Sequence, residues 1–441
     1  MTTAYWCELA WLGGERAEAE VLVEVQDGRI AAVSSRPPAS GATRLEGLTI
    51  PGLANAHSHA FQRALRGRTQ AGSGTFWTWR DQMYRLADRL DPESYRALAR
   101  ATFAEMALAG ITCVGEFHYL HHGPAGSRYD DPNEMGRAMI AAAAAAGIRI
   151  TLLDACYLHG GLGEPPSTTQ LRFSDGDADA WAGRVNALTE TESARVGAAI
   201  HSVRAVDPES AAVVAAWANG RGRPLHAHVS EQPAENHACL DAYGRTPTRV
   251  LHDAGALEGR FTAVHATHPH DDDYPLLGSA TVCACPTTER DLADGIGPMR
   301  RLAERGASLA LGSDSHAAID LFEEARALEL DERLATGERG LHRSAALLRA
   351  ATEDGHACLG WPDAGRIAAG NRADLVTVSL DGVRLAGTDP ENALEALVFA
   401  ASAADVRRVI VDGRELVRDG RHVNIDVPRE LHESVVRVAQ R

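Results

Sequence analysis

Apolar residues fall into short β-type runs that alternate with longer helical segments through the middle of the chain. Helical segments such as Pro92–Ala109 and Asn133–Ala146 separate the runs, and Gly147 is placed to end the second helix. Eight strands that alternate with helices predict a parallel (β/α)8 barrel of the TIM type. The candidate strands are Thr49–His57, Ile111–Phe117, Ile148–Ala155, Val196–Val203, Pro224–Val229, Phe261–His265, Thr281–Cys285 and Ser308–Leu311.

The two ends of the chain have the pattern of β-hairpins, in which short alternating runs flank an Asp-Gly turn. We therefore predict an α/β protein with two domains. Residues 1–50 and 366–441 form a small β-sandwich domain built from both termini, and residues 51–365 form the barrel. The hairpin runs are Val21–Val25 and Ile30–Val33 near the N-terminus, and Ala373–Val378, Val409–Val411 and Glu415–Val417 near the C-terminus.

Composition narrows the classes of function. Of the 441 residues, 45% are hydrophobic and 24% are charged, which is typical of a globular protein. The net charge of −16 disfavours nucleic acid or an anionic membrane as the main partner. The chain contains no lysine, so a Schiff-base lysine and a lysine-derived bridge between two metal ions are excluded. Because neither a signal peptide nor a long apolar span is evident, we expect a cytoplasmic protein.

Residues that can bind metal recur where the barrel strands end. His57 and His59 close the first strand, His228 the fifth, His265 the sixth, and Asp314 follows the eighth. Such barrels build their active sites at this edge. Residues two apart in an extended segment point to the same side, so both histidines of the first strand can face one ion. One His-x-His pair is weak evidence, but four strand ends with suitable residues predict a metal site.

Three histidines and one carboxylate suit a divalent ion, and zinc is the expected one. We therefore predict a single ion held by His57, His59, His228 and Asp314. The absence of lysine favours one ion over two, although two-ion sites bridged by a glutamate or a cysteine stay open.

Residues 51–59 (PGLANAHSH) resemble the opening strand motif of the amidohydrolase superfamily, and residues 365–376 resemble the segment that returns its chains to the β-domain. Within the superfamily, six further segments resemble the formimidoylglutamate deiminases. This resemblance implies hydrolysis of N-formimidoyl-L-glutamate to N-formyl-L-glutamate and ammonia in histidine degradation. It also suggests a homodimer. The six segments are residues 57–63, 76–80, 116–119, 201–204, 228–233 and 265–268.

The resemblance also implies roles for individual residues. Asp314 takes a proton from water, and His265 hydrogen-bonds the nucleophile and the tetrahedral intermediate. Glu231 moves a proton to the departing nitrogen. The small-molecule substrate is a dicarboxylate, which guanidinium groups grip with paired hydrogen bonds. The expected substrate-binding residues are Gln62, Arg80, Tyr119, His201 and Arg204, with Arg63 and Arg85 as substitutes for either arginine.

Three rival interpretations remain open. The first is another deaminase of the superfamily that acts on a ring like that of guanine, cytosine or adenine. It would share the metal ligands and Glu231, but it would have no use for Arg80 and Arg204 as carboxylate anchors. The second is a hydrolase with a different leaving group, such as a chloride or an amide, which an assay of ammonia release tests. The third is a scaffold that has lost catalysis. The presence of every expected ligand and proton-transfer residue argues against it.

Overall fold

A computed structural model describes residues 2–37, 41–71 and 73–440. Its strands form two eight-stranded sheets, one of them parallel throughout and one mixed. The strands are β1 (Thr2–Ala10), β2 (Glu18–Gln26), β3 (Arg29–Ser35), β4 (Thr43–Pro51), β5 (Leu53–Ser58), β6 (Ile111–His118), β7 (Arg149–Cys156), β8 (Ala194–Ile200), β9 (Leu225–Val229), β10 (Phe261–His265), β11 (Thr281–Ala284), β12 (Ser308–Leu311), β13 (Leu375–Val378), β14 (Val406–Val411), β15 (Arg414–Arg418) and β16 (Arg421–His422).

Fifteen α-helices are found in the part of the chain that the structure describes. They are α1 (Phe76–Ala87), α2 (Pro92–Leu108), α3 (Glu134–Ala146), α4 (Ala178–Val185), α5 (Pro208–Asn219), α6 (Pro233–Tyr243), α7 (Pro247–Asp253), α8 (Tyr274–Leu277), α9 (Pro286–Asp291), α10 (Met299–Glu304), α11 (Leu321–Thr336), α12 (Ser344–Ala351), α13 (Glu353–Cys358), α14 (Ala393–Ala400) and α15 (Val427–Gln440). No helix among the described residues is long and apolar enough to cross a membrane.

Strands β5 to β12 pair in sequence order and close into the predicted barrel. Closure takes place at the functional edge, where the His59 amide donates to the Asp314 carbonyl (3.1 Å) and the Asp314 amide donates to the His57 carbonyl (3.0 Å). The first and eighth strands therefore hold their metal-capable residues in register through main-chain hydrogen bonds.

The predicted strand Thr49–His57 is wrong as one element. The chain leaves the mixed sheet at Pro51, the last residue of β4, and enters the barrel at Leu53, the first residue of β5. Gly52 makes the crossing, and a Cβ atom there would lie 2.2 Å from Thr112 Oγ1 and 2.9 Å from Asp374 Cβ. The run of apolar residues continues through Gly52, because the end of β4 and the whole of β5 are both buried.

Local sequence explains how the barrel helices begin and end. Asp91 caps α2 by accepting a hydrogen bond from the Ser94 amide (2.8 Å), and Pro92 occupies the first helical position. The alanine-rich α3 ends at Gly147, which has a φ of 80° as a left-handed cap. Both helices match the predicted segments to within one residue.

The mixed sheet takes β1–β4 from the N-terminus and β13–β16 from the C-terminus. The turns at Gly28 and Gly413 lie beside each other, and the sheet has a small core of its own. The Tyr5 hydroxyl donates a hydrogen bond to the Gly413 carbonyl (3.2 Å). The joint β-unit from both termini is confirmed. Helix α15 follows this sheet and packs on the barrel, where Arg100 pairs with Glu430 (2.5 Å). The exact domain boundaries stay a prediction.

Candidate active site

The structure brings His57, His59, His228 and Asp314 together at the edge of the barrel where the strands end. One ligand atom from each lies within 4.8 Å of the others, and all four side chains are buried. Asp314 Oδ1 is 3.2 Å from His57 Nε2 and 3.4 Å from His59 Nε2, and His228 Nε2 is 3.1 Å from His57 Nε2. These residues could hold one metal ion.

Main-chain carbonyls orient two of the imidazoles. Nδ1 of His59 lies 2.9 Å from the Phe117 carbonyl, and Nδ1 of His228 lies 2.8 Å from the His201 carbonyl. A carbonyl only accepts, so each Nδ1 carries the proton and each Nε2 presents a lone pair to the centre. Converging lone pairs repel one another unless a cation lies between them. The donor set therefore fits a divalent ion.

The electrostatics of the cluster keep its histidines neutral. Burial, followed by the neighbouring His59 and His265, holds the pKa of His57 well below its usual value. Burial also lowers the pKa of His228, with His57 and His201 adding to the effect. A neutral imidazole is the form that binds metal, so these shifts prepare the ligands without competition from protons.

A hydrogen-bonded network lies behind the ligands. Ser58, between the two histidines of β5, donates to Glu116 (2.6 Å) and contacts His316 Nε2 (3.1 Å). His316 Nδ1 lies 2.9 Å from Ser313 Oγ, and Ser313 accepts from Asn55 (2.6 Å). Burial raises the pKa of Glu116 to about 8. His316 thus supports the site from behind and is not one of the four grouped ligands.

Backbone strain is concentrated at the same edge. Non-glycine residues adopt positive φ at Ser230 (51°), His265 (69°), Ala266 (47°), Asp314 (41°) and His316 (60°), each just past or at the end of a barrel strand. Such conformations cost about 1–3 kcal/mol each and persist where surrounding structure imposes them. Their clustering marks this edge as a functional site.

The three candidate proton-transfer groups lie next to one another. His265 Nε2 is 3.7 Å from both Glu231 Oε1 and Asp314 Oδ2. Its Nδ1 is 3.2 Å from Glu289 Oε1, a carboxylate that also accepts from the Cys285 amide (2.9 Å). Burial alone would lower the pKa of His265, but the carboxylates of Glu289, Glu231 and Asp314 raise it well above its usual value. The three carboxylates therefore favour the protonated form of His265, which donates hydrogen bonds.

A cavity of about 390 Å³ opens directly over this cluster. Its floor contains His59, His228, Glu231 and Asp314, and its wall contains all five predicted substrate-binding residues. The cavity joins the metal-capable group to a separate recognition surface made of Gln62, Arg80, Tyr119, His201 and Arg204.

Arg80 projects from α1 with its guanidinium carbon 4.6 Å from the centre of the Trp77 ring and 5.5 Å from that of Tyr84. Its Nε is buried and has no hydrogen-bond partner among the described residues. Across the cavity, the Gln62 amide donates to the Tyr119 hydroxyl (3.2 Å). Arg80 is thus a preorganised cation with donors left for a ligand.

Arg204 has a different environment, because two glutamates face it. It donates to Glu231 Oε2 (3.0 Å), and its Nε lies 3.9 Å from Glu235 Oε2. The turn that follows β8, in which the Ala205 amide donates to the Ser202 carbonyl (3.1 Å), directs Arg204 into the cavity. The predicted strand Val196–Val203 therefore ends earlier, at Ile200.

Two carboxylates of the site were not predicted from sequence. Glu289 lies four residues after Cys285 at the end of β11, and Glu235 lies one helical turn after Glu231. Both are buried, and burial raises the pKa of Glu235. A glutamate in the first turn of a helix that directly follows a barrel strand was the available signal, but such a residue also serves as an ordinary helix-dipole charge.

A second group of metal-capable residues consists of His118, His121 and Asp154, whose ligand atoms also lie within 4.8 Å of one another. Asp154 already accepts two hydrogen bonds from Arg184 (2.8 and 3.0 Å) and one from Trp181 (3.0 Å). The Arg184 guanidinium thus already neutralises the carboxylate that a metal ion would need. This group is an ion-pair network behind the barrel wall.

Comparison with known proteins identifies the family to which the chain belongs. The model of the amidohydrolase family matches residues 48–416. The chain is 39% identical to formimidoylglutamate deiminase of Pseudomonas aeruginosa over 90% of both chains, and 29% identical to 5-methylthioadenosine/S-adenosylhomocysteine deaminase of Natronomonas pharaonis over 96% of this chain and 94% of that one. A crystal structure of an amidohydrolase from Brucella melitensis superposes with a TM-score of 0.91 at 31% identity, covering 99% of this chain and 100% of the other. The chain therefore belongs to the amidohydrolase family.

Proposed function

We propose that this protein is a metal-dependent deiminase that hydrolyses N-formimidoyl-L-glutamate to N-formyl-L-glutamate and ammonia. One observation carries the proposal. A single cavity contains a metal-capable group, the carboxylate of Glu231 beside it, and the guanidinium groups of Arg80 and Arg204 farther out. The substrate has a cationic amidine, which matches Glu231, and two carboxylates, which match Arg80 and Arg204. The 39% identity to a formimidoylglutamate deiminase supports the same substrate.

His57, His59, His228 and Asp314 would hold one divalent ion, and zinc is the expected one because three imidazoles and one carboxylate suit it. When bound, such an ion lowers the pKa of water to about 7 and so supplies a nucleophile at neutral pH.

Asp314 and His265 act on the attacking water. Asp314 Oδ1 faces the histidines of β5, which leaves Oδ2 to accept the proton that the water loses. His265, whose protonated form is favoured by three carboxylates, donates a hydrogen bond to the nucleophile and then to the oxygen of the tetrahedral intermediate. Glu289 fixes the imidazole through Nδ1 and so sets its orientation.

Glu231 serves the nitrogen that departs. Its carboxylate first accepts a hydrogen bond from the formimidoyl group and so favours the protonated form, in which the formimidoyl carbon is electrophilic. Glu231 then takes up the proton that the water has lost and delivers it to the departing nitrogen as the carbon–nitrogen bond breaks. The substrate cation and one water thus give N-formyl-L-glutamate and ammonium, with atoms and charge conserved.

The two carboxylates of the substrate would bind to Arg80 and Arg204. Arg80 has no carboxylate partner among the described residues, whereas Arg204 shares its charge with Glu231. Its Nη1 group has no protein partner among the described residues, so a substrate carboxylate can add there without breaking the Glu231 contact. Gln62, Tyr119 and His201 would complete the wall around the chain of the substrate.

Ammonia release from N-formimidoyl-L-glutamate by the zinc-loaded protein tests the proposal, with guanine, cytosine and adenine assayed alongside. We expect turnover of the formimidoyl substrate alone. Turnover of a ring substrate alone would contradict the proposed substrate while leaving the metal chemistry intact.

Variants on one helix sharpen the assignment of the anchor. Arg80→Met should raise KM about 10-fold to 100-fold, because a pair of charge-assisted hydrogen bonds is lost. Arg85→Met is the matched control, since Arg85 lies on the same helix, is exposed and lies outside the cavity lining. An unchanged KM in Arg80→Met would remove Arg80 from the substrate site.

A further inference from the structure

A third metal-capable group lies beside the proposed catalytic ion. A ring nitrogen of His265, the Cys285 sulfur and an Asp314 carboxylate oxygen all lie within 4.8 Å of one another, and all three side chains are buried. The group shares only Asp314 with the four residues of the catalytic site. It is also the one such group among the described residues that contains a sulfur ligand.

The two oxygens of Asp314 face different neighbours. Oδ1 is close to Nε2 of His57 (3.2 Å) and His59 (3.4 Å), whereas Oδ2 lies 3.7 Å from His265 Nε2. One carboxylate can therefore bridge two ions, with one oxygen directed to each. Asp314 would keep its place in the catalytic site while binding a second ion.

His265 supplies an independent sign of a ligand. Its side chain is 1% exposed, and its Nε2 has no hydrogen-bond partner within the described part of the chain. Glu289 engages the opposite ring nitrogen and so leaves Nε2 directed towards Asp314 Oδ2. A buried nitrogen that is fixed in orientation and left unpaired is suited to a metal ion.

The surroundings favour a further positive charge. Burial raises the pKa of Asp294 to about 9, and the nearby carboxylates of Glu231, Glu289 and Asp314 add to this effect. Glu231 Oε1 also lies 3.7 Å from His265 Nε2. The carboxylates of Glu231, Glu289 and Asp314 thus lie close to His265, and their negative potential lowers the cost of binding a divalent ion there.

We propose that His265, Cys285 and Asp314 form a second, inhibitory site for a thiophilic divalent ion such as Zn²⁺, Cd²⁺ or Co²⁺. Thiolate and imidazole ligands select these ions over Mg²⁺ and Ca²⁺. Binding releases the thiol proton of Cys285 and the Nε2 proton of His265 to solvent, since the ion deprotonates its ligands. No oxidation or reduction takes place.

The inhibitory effect rests on the proposed function. An ion at this site occupies His265 Nε2 and Asp314 Oδ2, which are the two atoms assigned to orienting and deprotonating the water. Excess metal should therefore abolish turnover although the catalytic ion stays in place. The site borders on the cavity, because Asp314, one of its three residues, lines that cavity.

Spectroscopy distinguishes the two sites without an activity assay. The protein is stripped of metal and titrated with Co²⁺. The first equivalent meets only nitrogen and oxygen ligands and should give visible ligand-field bands. The second equivalent should add a thiolate-to-cobalt charge-transfer band in the near ultraviolet. Equilibrium dialysis with elemental analysis should find two ions per chain at excess metal. Absence of the sulfur band with saturating Co²⁺ would overturn the proposal.

A matched pair of cysteine variants tests the assignment. Cys285→Ser should bind one ion, lack the sulfur band, keep its basal activity and need at least about 10-fold more Zn²⁺ for half-inhibition. Cys283→Ser is the control, because Cys283 is buried in β11, two residues before Cys285, and belongs to neither group. It should behave like the wild type. Equal inhibition of both variants would contradict the site.

Failure of the proposed function and failure of the second metal site would give different results. If N-formimidoyl-L-glutamate is not the substrate, the sulfur band and the two-ion stoichiometry should still appear. If the second site does not exist, turnover should proceed without a sulfur band and the stoichiometry should remain at one ion. Should Cys285→Ser fail to fold, the wild-type cobalt titration alone decides between these outcomes.

Discussion

Two buried clusters of histidine and aspartate have nearly the same composition and spacing, but different environments. In one, His57, His59, His228 and Asp314 meet inside the barrel mouth; in the other, His118, His121 and Asp154 meet behind the wall. In the first cluster, the imidazole nitrogens of His57 and His59 lie against the Asp314 carboxylate. The second already contains the guanidinium of Arg184. Closely spaced ligand atoms therefore do not define a metal site by themselves. A carboxylate that is already paired with an arginine is not available to a metal ion.

The position of each cluster follows from strand alternation. On β6, Phe117 faces into the barrel, where its ring centre is 5.1 Å from that of His57. The next residue, His118, points to the opposite side, towards Tyr95 of α2. Two consecutive residues on one strand thus contribute to two different environments.

The largest effect should come from Asp314→Asn. Losing the carboxylate removes both a metal ligand and the proton acceptor, so kcat/KM should fall at least about 10⁴-fold. Bound metal should fall as well, as measured by elemental analysis after dialysis. Full metal content together with full activity would show that the barrel cluster is not the catalytic centre.

Glu231→Gln separates proton transfer from metal binding. The amide cannot carry a proton to the departing nitrogen, so kcat should fall about 10³-fold. Metal content should be unchanged, because Glu231 is not among the four proposed ligands. Steady-state kinetics and metal analysis on the same preparation provide the test. Wild-type kcat in this variant would exclude Glu231 from the mechanism.

Asp154→Asn addresses the second cluster. The change leaves Arg184 paired only with Asp175, and the free energy of unfolding should fall by about 3 kcal/mol. Metal content should equal that of the wild type. Urea denaturation measures the first quantity and elemental analysis the second. A loss of bound metal without loss of stability would mean that the second cluster is a metal site after all.

The smallest effect concerns pH. Burial lowers the pKa of His121 to about 4, whereas the unfolded chain has an ordinary value near 6.5. Between pH 6.5 and pH 4, His121 is protonated in the unfolded state but neutral in the folded state. Stability is therefore complete above pH 6.5 and declines towards pH 4, with about 2 kcal/mol lost from this group at pH 5.

His121→Gln removes that titration, and its amide nitrogen reaches the position of Nε2 and can still donate to the Ala155 carbonyl. The difference in unfolding free energy between variant and wild type should shift by about 2 kcal/mol in favour of the variant between pH 8 and pH 5. Denaturation curves at the two pH values measure it. A difference that does not change with pH would show that His121 titrates normally in the folded protein.

Sequence patterns predicted the barrel strands well because each strand is a short apolar run between helices, and this signal is local. The ligands were predictable because they directly follow those runs. The pattern failed at residues 49–57, where both sheets bury their strands and hydrophobicity cannot show the crossing at Gly52. It also missed Glu289 and Glu235, whose roles depend on partners supplied by other strands.

The sequence by itself determined the alternation of strands and helices, the absence of lysine chemistry, and which side chains stand at the strand ends. These properties depend on residues close together along the chain. Only the tertiary structure decided that Arg204 pairs with Glu231, that Glu289 orients His265, and that Arg184 occupies the second histidine cluster. Each of these depends on charges from distant segments that meet in a buried space, where a few ångströms determine which partner is paired.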